Sequence, residues 1–140
     1  MNAQGALFIS ANLEDSLLQN ADLSGADLKG ANLKNADLSS SLLTGANFRN
    51  ADLRNANLQK ADLSLVSLKG ANLRGADFQG AVFSWSKPEQ KNPDPFIEDV
   101  GTQTQSNRMK GVNFSKSKNL SSEQINYLCN QGAIHPDCNQ

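Results

Sequence analysis

The sequence predicts an all-β solenoid built of short strands, closed at its C-terminal end by a short α-helix. Three observations carry this expectation. A bulky apolar residue falls on every fifth position from Phe8 through Leu13, Leu18, Leu23 and onward to Phe78 and Phe83, sixteen consecutive units without a miss. Two residues before each stands a small one, Ala in thirteen units, with Ser16, Ser41 and Val66 as exceptions. The fifth position is rich in Gly and Asn, as at Asn20, Gly25, Gly30, Asn35, Gly45, Asn50, Asn55, Gly70, Gly75 and Gly80.

A period of five excludes the ordinary elements. On an α-helix five residues turn the side chain by about 500°, so the leucines would spiral around the cylinder and leave no stripe. On a flat strand an odd step reverses the side chain and sends alternate leucines into water. A chain that bends after every unit avoids both failures, because each bend re-aims the first and third residues inward. Gly and Asn tolerate the positive φ required at the third residue of a type II turn. Ser40, Lys60 and Leu65 break this preference, and other turn geometry is expected at those corners. At the second position Asp22, Asn32, Asp52 and Asn72 are suited to accept from nearby backbone amides.

Runs such as Ala26-Asp27-Leu28-Lys29-Gly30-Ala31-Asn32-Leu33 resemble the pentapeptide-repeat family, over Ala6 to Trp85 and again at Val112 to Lys116. The resemblance implies a right-handed quadrilateral β-helix with one unit per side and about twenty residues per coil; the period alone does not give the number of sides. A second period competes with it. Glu14-Asp15-Ser16-Leu17-Leu18, Ser39-Ser40-Ser41-Leu42-Leu43 and Ser64-Leu65-Val66-Ser67-Leu68 recur every twenty-five residues, which a five-sided coil would stack directly. With four sides they step diagonally around the axis, as traces of duplication.

The chain of 140 residues suits a single domain, 1–140, in which each coil buries its interior only against its neighbours. Uninterrupted repeats run over 6–85. Pro88, Pro93 and Pro95 mark 86–110 as a loop excursion, and 111–116 restores one unit out of phase. A capping helix is expected over 121–131: Ser121 caps it, Gln124 completes a capping box, Leu120 staples against Ile125 and Gly132 marks its end. Its face of Ile125, Leu128 and Cys129 is expected to close the rod, leaving 132–140 as a tail. The N-terminal end, with Leu7, Phe8 and Ile9, has no comparable lid; a self-association surface and a minor cap from the first residues are equal alternatives.

The net charge of −1 argues against a basic nucleic-acid-binding domain and against a strongly acidic mimic of nucleic acid. No apolar run is long enough to cross a membrane, so no membrane insertion is expected. The first residues lack a basic segment followed by a long apolar one. Either the protein is cytoplasmic, or this is a mature form whose signal peptide is gone. Cys129 and Cys138 favour the second option if they form a disulfide, which would close a short loop and imply an oxidising compartment. Two reduced structural cysteines are the alternative. His135 is the only histidine and has no close-spaced ligand motif beside it, so no metal and no cofactor is expected.

With twenty residues per coil, the fourth positions sort into columns. Lys29, Arg49 and Lys69 stack on one side and Lys34, Arg54 and Arg74 on the next. Gln19, Ser39, Gln59 and Gln79 follow, then Ser24, Thr44, Ser64 and Ser84. A basic half-surface therefore faces an uncharged one that carries Asp22, Asp37, Asp62 and Asp77 at second positions. It is either a solvated face or a docking surface for an acidic partner. Leu42, Leu65, Val82 and Trp85 point outward on or beside the last side, an apolar patch that needs a cover. The excursion contains Phe96, Ile97 and Val100 and is expected to fold over it.

No enzyme is expected. The carboxylates are dispersed by the repeat, no histidine pairs with a nucleophile, and the glycines fall at corners rather than in a phosphate loop. The preferred reading is a non-catalytic structural or protein-interaction module with a protein partner. The interrupted repeat, followed by Asn119-Leu120-Ser121-Ser122-Glu123-Gln124-Ile125 and two cysteines, is similar to cyanobacterial pentapeptide-repeat proteins of the thylakoid lumen or periplasm. The alternative that the family implies is a DNA-mimicking protein that binds or protects DNA gyrase. Lys and Arg stand here where that mimicry would need acids.

Overall fold

The computed structural model describes residues 1–83, 109 and 111–139. Its repeats pair by isolated parallel β-bridges, each joining a second-position residue to the one twenty positions on: Asn2 with Asp22, Asp22 with Leu42, Leu42 with Asp62 and Asp62 with Val82 along one wall. The next walls follow Leu7, Asp27, Asn47 and Ser67, then Asn12, Asn32, Asp52 and Asn72, then Leu17, Asp37, Asn57 and Asp77. Four units therefore make one winding. This register sets aside the twenty-five-residue stack, because Leu28, Phe48 and Leu68 occupy one wall, where the Leu28 N–H donates to Asn47 O at 2.7 Å and the Phe48 N–H to Ser67 O at 2.8 Å.

Units of the interior windings, such as 21–25 and 26–30, spend their backbone groups in the same way. The second-position N–H donates to the winding before it, as Asp27 N does to Ala6 O at 2.9 Å, while the third- and fifth-position N–H groups donate to the winding after it. An i to i+3 bond closes each corner, for example Ala26 N to Leu23 O at 3.0 Å. Second-position side chains brace the turn from outside: the Oδ1 atoms of Asp22, Asn32, Asp52 and Asn72 accept from the N–H two residues on at 3.1 Å. These bonds satisfy main-chain donors that would otherwise lie unpaired at a tight bend.

One expectation about the corners fails. Ser40, Lys60 and Leu65 take the same left-handed conformation as the glycines, with φ of 57°, 60° and 60°, and no alternative turn is used. The Ser40 and Lys60 N–H groups each donate 2.8 Å to the next winding, and all three corners keep the i to i+3 bond. Stacking above and below imposes the corner, and a side chain that disfavours positive φ accepts a cost of about 1 to 2 kcal/mol.

The small and the large positions interlock along the axis. From Ala21 to Phe78 all of them are buried, including Ser41, whose Oγ donates 2.5 Å to Leu38 O and so is satisfied in the interior. In the first winding Ala3, Phe8, Leu13 and Leu18 are only partly buried, since nothing stacks before them among the described residues. Residues 1–5 do not lie across this end as a cap. They continue a wall: the Ala3 N–H donates 2.7 Å to Asp22 O and the Gly5 N–H 2.9 Å to Ser24 O. Asn2 and Gly5 already carried the second- and fifth-position signature, with Ala3 in the leucine place.

Beyond the excursion the register resumes at three points. Asn113 pairs with Asn72, Lys118 with Asp77, and Ile134 with Asn113 in turn. Met109, Val112 and Phe114 are fully buried, and the Phe114 ring lies 5.7 Å from that of Phe78. The single unit read at 111–116 is thus joined by pairings at Lys118 and Ile134 that no leucine announces.

Helix α1 spans Ser122–Asn130. Ser121 is its N-cap, and the expected capping box is present, Ser121 Oγ accepting from Gln124 N at 3.1 Å and Gln124 Oε1 from Ser121 N at 2.9 Å. Gln131 is the C-cap, and Gly132 follows at φ 87°. Paired bonds from Gly132 N to Cys129 O and from Ala133 N to Leu128 O close the helix as a Schellman motif. Leu128 is buried in the core, and Leu120 and Tyr127 pack against it. Ile125 is half-buried, so of the expected face Leu128 alone enters the core. A 3-10 turn, Pro136–Asn139, follows, and a disulfide joins Cys138 to Cys129.

Candidate functional site

The backbone register brings the cationic columns together. Lys29, Arg49 and Lys69 follow one another along one wall, where their carbonyls accept from Ser10, Gly30 and Asn50 N–H groups at 2.8, 2.8 and 2.9 Å. Lys34, Arg54 and Arg74 do the same on the adjoining wall, accepting from Asp15, Asn35 and Asn55 at 3.0, 2.9 and 3.0 Å. The two walls meet at the corner of Gly30, Asn50 and Gly70. Windings in a β-stack lie about 4.8 Å apart, so like charges in one column stand well within a Debye length.

Local contacts decide which of these charges is free to act. Arg54 lies over Asp52 with its Nη2 2.6 Å from Oδ2 and its Nε 2.9 Å from Oδ1. The hydrogen bonds from Arg54 hold the Asp52 carboxyl below the usual carboxylate range, and Asp52 in turn raises the guanidinium. Arg49 donates from Nε to Ser67 Oγ at 2.9 Å, which fixes its stem, and among the described residues it forms no ion pair with an acid. Lys29, Lys69 and Arg74 are exposed and Lys34 is half-buried. Arg54 is thus neutralised within its own unit, a distinction that column assignment alone does not make.

The opposite walls carry Asp22, Asp37, Asp62 and Asp77. A fourth-position side chain bonds across to the second position of the next winding on both halves of the surface: Gln4 Nε2 to Asp22 Oδ2 and Gln59 Nε2 to Asp77 Oδ2, each at 2.6 Å, in the same relation as Arg49 to Ser67. This spacing of eighteen residues was present in the sequence but has no meaning until the winding length is known. Bonds from Ser24 and then Gln4 lower Asp22. Burial works to raise Asp77, yet hydrogen bonds from Asn119 and Gln59 overcome it and hold the carboxyl low.

The apolar candidates divide differently. Leu42 and Val82 are 47% and 52% exposed on one wall, with Asp62 paired between them, and Leu65 stands at the neighbouring corner, 40% exposed. Their described part is therefore interrupted by a carboxylate. Trp85, and the cover expected from Phe96, Ile97 and Val100, lie outside the described residues. More exposed still are Leu7 at 77% and Leu17 at 76% in the first winding, with Met1 and Ile9 beside them. Sequence reasoning singled out Leu7 and Ile9 here and passed over Leu17.

Cys129 and Cys138 are disulfide-bonded, which decides between the two readings of the pair. His135 Nδ1 accepts from the Asp137 N–H at 3.1 Å. Among the described residues no group of three His, Cys, Asp or Glu side chains could hold a metal ion, and no helix is long and apolar enough to cross a membrane.

Comparison with known proteins bears on this arrangement. A model of pentapeptide repeats matches 6–45, 31–70 and 46–84. Among solved structures the chain is similar to the pentapeptide repeat protein Rfr23 of the cyanobacterium Cyanothece 51142, with 34% identity over 61% of this chain and a TM-score of 0.58. The match spans 60% of that protein's length. A pentapeptide repeat protein of the Arabidopsis thaliana thylakoid lumen is 26% identical over 91% of this chain and 77% of its own, with a TM-score of 0.59. No curated protein matches. Repeat spacing, a twenty-residue register and matches that together cover more than half of the sequence lead to one conclusion: the chain belongs to the pentapeptide repeat family.

Proposed function

We propose that this protein is a single-domain, right-handed quadrilateral β-helix that acts as a non-catalytic interaction module and docks an acidic protein surface on its two cationic walls. The observation that carries this reading is the division of charge around the rod. Lys29, Arg49, Lys69, Lys34, Arg54 and Arg74 share adjoining walls with Glu14, Asp15, Asp27 and Asp52, while the other two walls carry Asp22, Asp37, Asp62 and Asp77 with Lys60 as the one cation among their described repeat residues. A rigid backbone ladder fixes these charges in place, which lowers the entropy lost on docking. Such a surface steers an oppositely charged partner mainly through its association rate and loses that advantage as salt rises.

The disulfide and the likeness to a thylakoid-lumen protein support an oxidising compartment, the thylakoid lumen or the periplasm. The test is affinity capture from that compartment with the Arg49→Glu/Arg74→Glu variant as control, which leaves the Arg54–Asp52 pair intact. A specific partner lost on charge reversal supports the reading. Unchanged capture removes the cationic walls as its site. The gyrase-binding alternative is addressed by a supercoiling assay, in which no inhibition or rescue is expected from a rod with basic variable positions on two walls and mainly uncharged ones on the others.

A further inference from the structure

We propose that the Cys129–Cys138 disulfide is a reducible latch: it holds the C-terminal strip 131–134 on the last paired segment, and a dithiol reductant releases that strip without unfolding the windings beneath. The strip is held by a short ladder. Met109 N donates to Gln131 O at 3.1 Å, Gly111 N to Gly132 O at 3.2 Å, Ile134 N to Val112 O and Phe114 N to Ile134 O at 2.8 Å. Ala133 is its one buried apolar side chain, and Ile134 is 52% exposed. By contrast, each interior winding buries four large and four small side chains, for example Leu23 to Leu38 with Ala21 to Ala36. Apolar burial therefore fixes the windings and contributes little to the strip.

Beyond the strip the hydrogen bonds among the described residues are local. Cys138 N donates to His135 O at 3.0 Å and Asp137 N to His135 Nδ1 at 3.1 Å. Helix α1 has separate anchors: its capping box, buried Leu128, and Gln124 Nε2 donating to Ala81 O at 3.1 Å. The disulfide thus joins an anchored helix to a turn that, among the described residues, makes no backbone bond to the windings, and the strip lies inside the loop it closes. Cutting it frees the turn and leaves the strip held only by its ladder and by the Gly132 N to Cys129 O and Ala133 N to Leu128 O bonds, so the strip opens more readily while α1 stays in place.

The chemistry is ordinary thiol–disulfide exchange. A thiolate of the dithiol attacks one sulfur, the S–S bond breaks and a mixed disulfide forms. The second thiol of the reductant displaces it, so two electrons and two protons pass to Cys129 and Cys138 and the reductant departs as a disulfide. Release uncovers the N–H groups of Gly111 and Phe114 and the carbonyl of Val112, a strand edge open to pairing in the reduced form and closed in the oxidised one.

The test uses the full chain at neutral pH, without denaturant, oxidised and after incubation with dithiothreitol, with free cysteines counted by alkylation and amide hydrogen exchange followed residue by residue. Both cysteines are expected to become alkylated. The amides of Gly111, Phe114 and Ile134 are expected to exchange roughly a hundredfold faster, the loop-entropy value for a separation of 9 residues. Asp52 and Leu53 should keep their protection, and reoxidation should restore the original rates. The Cys129→Ser/Cys138→Ser double variant should reproduce the reduced pattern. Unchanged rates at Phe114 and Ile134 with both cysteines alkylated overturn the proposal, as does reduction that occurs only with loss of protection at Asp52 and Leu53.

Discussion

Asn119 Nδ2 donates to Asp77 Oδ1 at 2.8 Å, joining residues 42 positions apart, while Gln59 Nε2 reaches the other oxygen of the same carboxylate at 2.6 Å. Asp77 therefore bridges the winding before it and the segment that leads into α1. Its lowered carboxyl has a definite sign for stability. A group whose folded value lies below its unfolded one stabilises the fold above the unfolded value, near 3.8, and loses that contribution as pH falls through the folded value. Asp77→Asn should lose less stability than the parent between pH 5 and pH 2 (about the range of carboxylate titration). Denaturant midpoints at both pH values measure the difference, and an equal acid loss in the two proteins would contradict it.

The non-glycine corners offer a direct stability gain. Lys60 sits at φ 60° and is exposed, so Lys60→Gly removes a conformational penalty and sacrifices little packing. An increase of about 0.5 to 1 kcal/mol is expected, read as a higher thermal midpoint. A decrease would show that Lys60 contributes more through contacts than its backbone costs.

Two glycine corners separate conformation from crowding. Gly45 at φ 71° has open space where a Cβ would stand, whereas a Cβ on Gly70, φ 75°, would collide with Asn50 Oδ1 in the winding before it. Gly45→Ala should cost about 1 to 2 kcal/mol from the left-handed conformation alone. Gly70→Ala should cost more, and Asn50→Gly in the same chain should return part of the excess. Equal costs at the two glycines would exclude crowding as a factor.

The interior follows simple packing rules. Leu33 and Ala31 are fully buried in one unit. Leu33→Ala should destabilise by about 2 to 5 kcal/mol through a cavity between windings. Ala31→Leu should cost about 1 to 3 kcal/mol through overpacking, both read by chemical denaturation. A tolerated Ala31→Leu would mean that the small column borders free volume.

Much of this was legible before any coordinates. The Ala and Leu positions from Ala21 to Ala81 named the buried residues one by one, while those of the first winding are only partly buried, and second-position Asp22, Asn32, Asp52 and Asn72 made the bonds their side chains suit. Ser121, Gln124 and Gly132 marked the helix ends through local chemistry. Corners at Ser40, Lys60 and Leu65 were misread because residue preference was taken as decisive, whereas neighbouring windings hold the backbone there. Pairings at Lys118 and Ile134 were missed for a related reason: they copy the backbone register without the leucine that advertises it.

The five-residue period by itself determined that the chain bends regularly and which side chains turn inward, because no straight helix or strand buries such a pattern. Tertiary structure alone decided that four units complete a winding, since only the pairing of residues twenty apart measures its circumference. It also decided that Arg54 is paired within its own unit while Arg49 is held by a serine of the next winding. Charge balance at a surface depends on which side chains come within reach, and that distance is set by the stack.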